Sequence, residues 1–432
     1  MSSGDTTGQK AELQEPGGSR GAYSVLRNRD LLLYLVARLV ATMGQQMFVM
    51  AVGWELYDRT HSALPLGLVG LTQIIPMLGL TLPAGHVADN FSRKRVIVIA
   101  TAFVMVASLG MTLVSARQAP VSWVYLCLFV AGAARTFLWA ASASFLPQLV
   151  ERKDFSRAVN WSAAVFQISS ILGPAAAGWF IHWTNHAAPV YAANAVASLA
   201  CCVLVGLVRC HGGVTTREPI TFRALLTGFN FVFANRIILG IITLDMFAVL
   251  LGGATALLPI YAKDILDVGP GGLGLLQASM PLGAVLCTFI LAHRPPMQKA
   301  GHSLLVAVAV FGLATIAFGL SRWFWLSFAM LFLCGAVDNV SVVVRHTLVQ
   351  LLTPDDKRGR VSAVNNLFIG TSNELGGFES GFVAQIFGPG IGNTIVAGTI
   401  LSVVAGGIGT LAVVAAVAIL WPEIRQYGRL DA

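Results

Sequence analysis

Seven ionisable residues stand inside stretches of this chain that are otherwise apolar: Arg38, Arg135, Asp245, Asp338, Arg345, Glu374 and Glu379. A charge held among hydrocarbon costs about 3 kcal/mol or more, so such groups pair, line a cavity or carry ions. The four carboxyl groups can bind and release a proton, and an arginine nearby can hold the ionised form. Arg345 lies near the end of its stretch, where its long side chain can reach water. Glu55 is placed to do the same. Hydrolytic chemistry finds no footing here: the chain has no Gly-rich loop ending in Lys-Ser/Thr, no His-Glu-x-x-His and no nucleophile elbow. His182 and His186 have the i,i+4 spacing of a metal pair, but no third ligand accompanies them. Neither a metal nor a cofactor is expected, and the chain is read as no enzyme.

Apolar residues make up 56% of 432 positions and charged ones 11%. Runs of about 20 apolar residues recur throughout, which is the length a helix needs to cross a bilayer. Twelve spans are expected: 31–55, 64–84, 96–116, 121–147, 159–181, 189–210, 237–260, 272–292, 303–321, 323–352, 362–388 and 393–421. Membrane barrel strands are excluded, since the runs are too long and do not alternate. The net charge of +8 is topological. Of the 28 Lys and Arg, 21 fall in the tails and alternate loops on one side of this twelve-span order. That side is expected to be cytoplasmic, with both termini there. Nucleic acid is therefore not an expected partner; the lipid bilayer is. The six cysteines lie in or beside apolar spans without metal-ligand spacing and are read as packing residues.

The chain repeats itself at a displacement near 205 residues. Asn28-Arg29 recurs as Asn235-Arg236, Gly70-x-x-Gln73 as Gly274-x-x-Gln277, and Ala158-Val159-Asn160 as Ala363-Val364-Asn365. The expected organisation is an all-α integral membrane protein built as two pseudo-symmetric six-helix bundles. Residues 1–22 form a disordered tail, 23–210 the first bundle, 211–228 a linker, 229–423 the second bundle and 424–432 a closing tail. Adding the displacement to Arg38 reaches Asp245, and Arg135 maps close to Asp338. Equivalent depths in the two halves thus carry opposite charges. That pairing is expected to act as a proton-sensitive switch, its alternative role being a static ion pair. Around Glu374, the run Thr371–Gly381 holds three glycines and several polar residues, which predicts an irregular helix beside a cavity. Close small-residue packing is the competing reason for the glycines.

Between the second and third spans lies a charged knot, Gly85-His86-Val87-Ala88-Asp89-Asn90-Phe91-Ser92-Arg93-Lys94-Arg95. Gly85, Asp89, Arg93 and Lys94 resemble the loop motif of the major facilitator superfamily, with Ser92 in place of its second glycine. Gly173-Pro174-Ala175-Ala176-Ala177-Gly178 resembles the antiporter motif of that superfamily, with Ala177 in place of its penultimate glycine. Arg135 resembles the arginine of its fourth-helix motif, although Trp139 stands where a glycine is usual. Over nearly the whole chain beyond residue 22, the pattern is similar to the branch holding the bacterial enterobactin exporter and related drug effluxers.

The resemblance implies proton-driven export of a small amphiphilic molecule, a siderophore or a drug, by alternating access in a bacterial inner membrane. The chain would act as a monomer. Protons would couple through Asp245, Arg38, Glu374, Asp338 and Glu379. Asp89 would cap the start of the eleventh span near Val361 in the outward-open state, and Arg93 would pair with Glu151 or Asp154. Arg135, Trp139, Gln73, Gln277, Trp54 and Phe137 would line the substrate cavity. An importer or uniporter, and a transport-inactive sensor, are the alternatives.

Overall fold

A computed structural model describes residues 23–209, 222–295, 297, 299–354, 357–388, 394–426 and 428. The expected tail 1–22 lies outside the described residues, as do positions 211–221 of the expected linker. The rest of that linker is helical.

The first half consists of α1 (Arg29–Thr60), α2 (Leu64–Asn90), α3 (Arg93–Ala116), α4 (Val121–Phe145), α5 (Phe155–Thr184) and α6 (Ala188–Leu207). A short helix, α7 (Phe222–Ala234), leads into α8 (Arg236–Leu251), α9 (Gly269–Ala292), α10 (Ala300–Leu320), α11 (Phe324–Leu352), α12 (Arg358–Phe387) and α13 (Ile395–Leu420). Among the described residues, eleven spans are long and apolar enough to cross a membrane, that of α8 running on through Ile265. The remaining helix, α12, has the length at 30 residues but not the apolarity. Its polar run from Thr371 to Glu379 is why. Beyond the last span, Ile424 is fully buried against the second half, so that position of the expected closing tail packs on the bundle.

The duplication is built into the caps. The Asn28 side chain accepts the backbone N–H groups of Asp30 and Leu31 at 3.0 and 3.3 Å, and Asn235 accepts those of Ile237 and Ile238 at 3.1 Å each. Each asparagine satisfies orphan donors at the first turn of its span. The two halves also meet symmetrically. At Gly70 in α2, an added Cβ would lie 2.3 Å from the Glu374 carbonyl oxygen of α12. At its repeat partner, Gly274 in α9, it would lie 2.4 Å from the Pro174 carbonyl oxygen of α5. Both seams are backbone-close because glycine carries no side chain to hold them apart.

The expected irregularity of α12 is not found. That helix runs unbroken from Arg358 to Phe387, and it is α8 that breaks. After Gly252 and Gly253 the chain continues through a 3-10 turn (Ala254–Leu257), a single α turn (Leu258–Ile260) and a π turn (Tyr261–Ile265). Gly253 touches the Gly376 carbonyl and Ser380, and Gly376 lies against the carbonyls of Val249 and Leu250. The glycines of α12 therefore serve close packing, and Pro259 removes a donor from the helix they press on.

The apolar core divides in three. One cluster joins both halves, including Phe48, Tyr57, Tyr191, Tyr261, Leu273 and Phe318. A second holds Leu35, Ala88, Ile97, Phe145 and Val205 of the first half alone. A third holds Ile241, Leu304, Val344, Val361 and Val417 of the second half alone. The second and third clusters lie toward the face that carries most of the arginines and lysines. Among the described residues, the halves thus share an apolar core at one face, and toward the basic face each half has its own.

Candidate functional site

At the seam between the halves, the Arg135 guanidinium of α4 donates to Gln73 Oε1 of α2 at 2.7 Å. Gln73 stands one turn from Gly70, where α12 crosses closest. Glu374 stands on α12 at this crossing, its backbone carbonyl 2.3 Å from where a Cβ on Gly70 would lie. Three residues singled out separately in the sequence are thus gathered from three helices and both halves. The repeat displacement had matched Arg135 with Asp338 instead.

Asp245 and Arg38 do not pair in this structure. Asp245 on α8 forms an ion pair with Arg345 on α11, within the second half. Both residues are buried, at 8% and 3% exposure, so the expected snorkelling of Arg345 is also corrected. α11 continues a further two turns to Leu352, which keeps Arg345 inside the bundle. Arg38 is half-buried and makes no ion pair or side-chain hydrogen bond among the described residues. Asp338 lines a small cavity of about 20 Å³ shared with Asp245. Among the described residues, the one hydrogen bond to the Glu379 carboxylate comes from the hydroxyl of its neighbour Ser380, at 3.4 Å. Glu55 does not reach water either: it is 7% exposed and pairs with Arg59 one turn along α1, at 3.3 Å.

At the welded face, the end of α1 meets the segment that follows the break in α8. Tyr57 donates to Asp264, and Lys263 pairs with Asp58 at 2.5 Å. The sequence separations of these pairs are 207 and 205, the same as the repeat. The two pairs cross about a displacement of 206, each joining one residue to its neighbour's counterpart in the other half, as a contact on the pseudo-two-fold axis must. Nearby, Ser62 and the Ala63 backbone donate to Gln385 Oε1 of α12 at 2.7 and 3.2 Å. The sequence signal was the displacement itself, applied to adjacent charged residues at the span ends.

The family model described as Major Facilitator Superfamily matches residues 34–378. The chain belongs to the major facilitator superfamily. It is 24% identical over 398 residues to the enterobactin exporter EntS of Escherichia coli O1:K1, covering 91% of this chain and 92% of the relative. The enterobactin exporter EntS of Shigella boydii serotype 18 matches to the same extent. Among solved structures, a bacterial homolog of the human lysosomal transporter Spinster, inward-facing and unoccupied, superposes with a TM-score of 0.69 at 14% identity. That match covers 95% of this chain and 98% of that one. A POT family transporter in complex with 5-aminolevulinic acid gives 0.72 at 10% identity, covering 92% and 97%. These likenesses establish a multi-pass membrane transporter with the two-bundle fold of the superfamily, whose members are not enzymes.

The superfamily's loop motif can now be placed. Gly85 is buried and Asp89 half-buried on the last turn of α2, and Arg93 opens α3 at 4% exposure. Lys94 donates to the carbonyls of Gly206 and Val208 at 2.7 and 2.8 Å, neutralising the negative end of α6. Asp89 makes no side-chain hydrogen bond or ion pair among the described residues, so it does not cap α12 in this structure. Glu151 and Asp154 are engaged by Lys153 at 2.8 Å and Arg157 at 2.9 Å. In the antiporter-like segment, Gly173 packs on Gln46 and Met43 of α1, while Pro174 and Gly178 seat α9 through Gly274 and Pro270. Of the expected cavity residues, Trp139 is 62% exposed, Gln277 is half-buried, and Phe137 packs at the edge of the first-half core. Trp54 belongs to the welded face, its ring 5.9 Å from Lys263 Nζ.

The axial contact should be a removable latch. Lys263→Ala eliminates the Asp58 pair and the contact over Trp54. A partly exposed ion pair is worth about 0.5–1 kcal/mol, so the population open at this face should rise about two- to fivefold. Distances between spin labels at the ends of α1 and α9 would report it; an unchanged distance distribution would show that the apolar weld alone holds this face.

Proposed function

We propose that this chain is a proton-coupled exporter of a small amphiphilic molecule, a siderophore or a drug, working as a monomer by alternating access. One observation carries the reading: among the described residues, two bundles share an apolar core at one face and keep separate cores toward the other, with Arg135, Gln73 and Glu374 on the seam between them. A substrate entering from the basic face would meet that polar seam, and rocking the bundles would make or break the charge relation across it. The excess of Lys and Arg on the separated face supports a cytoplasmic placing of that face and of both termini. The similarity to proteins named as enterobactin exporters supports export from a bacterial inner membrane. The antiporter-like segment supports the same direction, since its glycines shape the α5–α9 seam that must close and open.

Reconstituted vesicles with an imposed pH gradient test the proposal. A panel of siderophores and amphiphilic drugs is offered, and substrate movement is followed together with internal pH. At least one compound should be accumulated against its gradient with an accompanying proton flux, and Arg135→Ala should abolish that flux. Transport that persists after the pH gradient is collapsed would remove proton coupling. Movement only down a gradient would leave a uniporter.

A further inference from the structure

We propose that Asp245, Asp338 and Arg345 form a one-proton store inside the second half, with Asp338 as the residue that carries the proton. The proposal deepens the proton-coupled reading above and rests on it for its link to transport.

Arg345 and Asp338 lie seven residues apart on α11, two turns along one helix face. Asp245 approaches them from α8. Asp245 and Asp338 both line a cavity of about 20 Å³, with Ser341, Ala248, Val308 and Phe311 completing much of its wall. One guanidinium balances one carboxylate, and in this structure Arg345 is committed to Asp245. Asp338 makes no ion pair or side-chain hydrogen bond among the described residues. With both acids ionised the cluster carries one uncompensated negative charge in apolar surroundings; with a single proton bound it is neutral. The cluster is therefore matched to one proton and no more.

The cavity volume admits about one water, which would have the two carboxyl groups and the Ser341 hydroxyl as partners. Such a bridge lets the proton pass between Asp338 and Asp245, so that either acid can be the one paired with Arg345. Among the described residues, the other titratable neighbours are Cys334, one turn along α11, whose thiol is 3.8 Å from the Thr315 hydroxyl, and the exposed His346, which follows Arg345 in the chain. α10 presents Ala307, Val308 and Phe311 to the cavity, none of which titrates. A metal cation is a poorer occupant, because hard cations want about six oxygen ligands and the wall offers two carboxyl groups and one hydroxyl.

The store also has a route to the conformational change. Asp245 lies on α8 on one side of the Gly252–Gly253 break, and Lys263 and Asp264 of the axial latch lie on the other. One span thus carries both the proton-sensitive pair and the latch. A shift of α8 on loading or unloading the proton would reach the latch through the broken segment.

Infrared difference spectroscopy on the purified protein tests the store without any transported compound. A protonated-carboxyl C=O band that disappears as pH rises is expected in the wild type, absent in Asp338→Asn and restored in Asp338→Glu. The same band in Asp338→Asn as in wild type would overturn the assignment. In vesicles, Asp338→Asn should keep downhill exchange but lose pH-gradient-driven accumulation by about tenfold or more, the size of an ordinary coupling free energy. Gradient-driven accumulation unchanged in Asp338→Asn, or driven by sodium in the wild type, would also sink it. If no panel compound is moved by the wild type, the transport reading fails while the infrared result still decides the store.

Discussion

Arg345→Leu should lower the stability of the detergent-solubilised protein by about 3–5 kcal/mol, the usual loss when one partner of a buried ion pair is removed. The reason is what remains: Asp245, 8% exposed, would be left with no cation beside it and a second acid, Asp338, on the same cavity. Adding Asp245→Asn to Arg345→Leu should recover most of the loss, because the second change removes the stranded charge. Asp245→Asn alone should cost less than Arg345→Leu alone, since the released guanidinium has Asp338 two turns away on its own helix. Thermal or denaturant unfolding of the wild type, both single variants and the double variant closes the cycle. Losses that simply add would show that Asp245 and Arg345 do not depend on each other. The first half should respond differently. Arg38 has no ion pair to lose among the described residues, so Arg38→Leu is not expected to strand a partner.

The sequence made the spans, the duplication and the candidate charges legible, because each is a property of depth along a helix. Length and apolarity mark where a helix crosses, and a fixed displacement marks equivalent depth in the two halves. Depth does not say which way a side chain points. Asp245 and Arg38 are equivalent in depth, yet Asp245 turns into its own bundle toward Arg345. That choice depends on the rotation of α8 and α11 about their axes, which the one-dimensional pattern leaves open. Glu55 and Arg345 were misread for a related reason. Nearness to a span end implies water, but α1 runs past its expected end to Thr60, α11 continues about two turns beyond Arg345 to Leu352, and the surrounding helices cover both side chains. The glycines around Glu374 were read as irregularity in their own helix. Their structural effect appears in the partner instead, where α8 breaks against Gly376 and Ser380. By contrast, Gly70-x-x-Gln73 stands in the sequence as a repeat, with Gln73 also an expected cavity residue, and it marks the seam, with Gly70 against α12 and Gln73 holding Arg135.

Gly274→Leu should cost the protein its closed welded face. An added Cβ at Gly274 would stand 2.4 Å from the Pro174 carbonyl oxygen and 3.2 Å from Ala175 Cα. Both obstacles are backbone, so no side-chain rotation relieves them, and α5 and α9 must move apart. Overpacking of this kind costs about 1–3 kcal/mol, and the loss falls on the welded arrangement, shifting its equilibrium with the opened one by roughly 10- to 100-fold. Even Gly274→Ala should act in the same direction, since the first added carbon is the one that collides. Gly178→Leu should reproduce the effect from the other side of the seam, its added Cβ standing 2.4 Å from the Pro270 carbonyl oxygen. Gly79→Ala supplies the comparison: nothing lies within 4 Å of a Cβ there, so it should leave the equilibrium as it is. Spin-label distances between the ends of α1 and α9 read the opening, and vesicle transport reads its consequence. Because a carrier that cannot seal one face cannot complete its cycle, gradient-driven transport should fall with the sealed population. A Gly274→Leu protein that keeps both the wild-type distances and the wild-type rate would mean that the α5–α9 seam is not where this face closes.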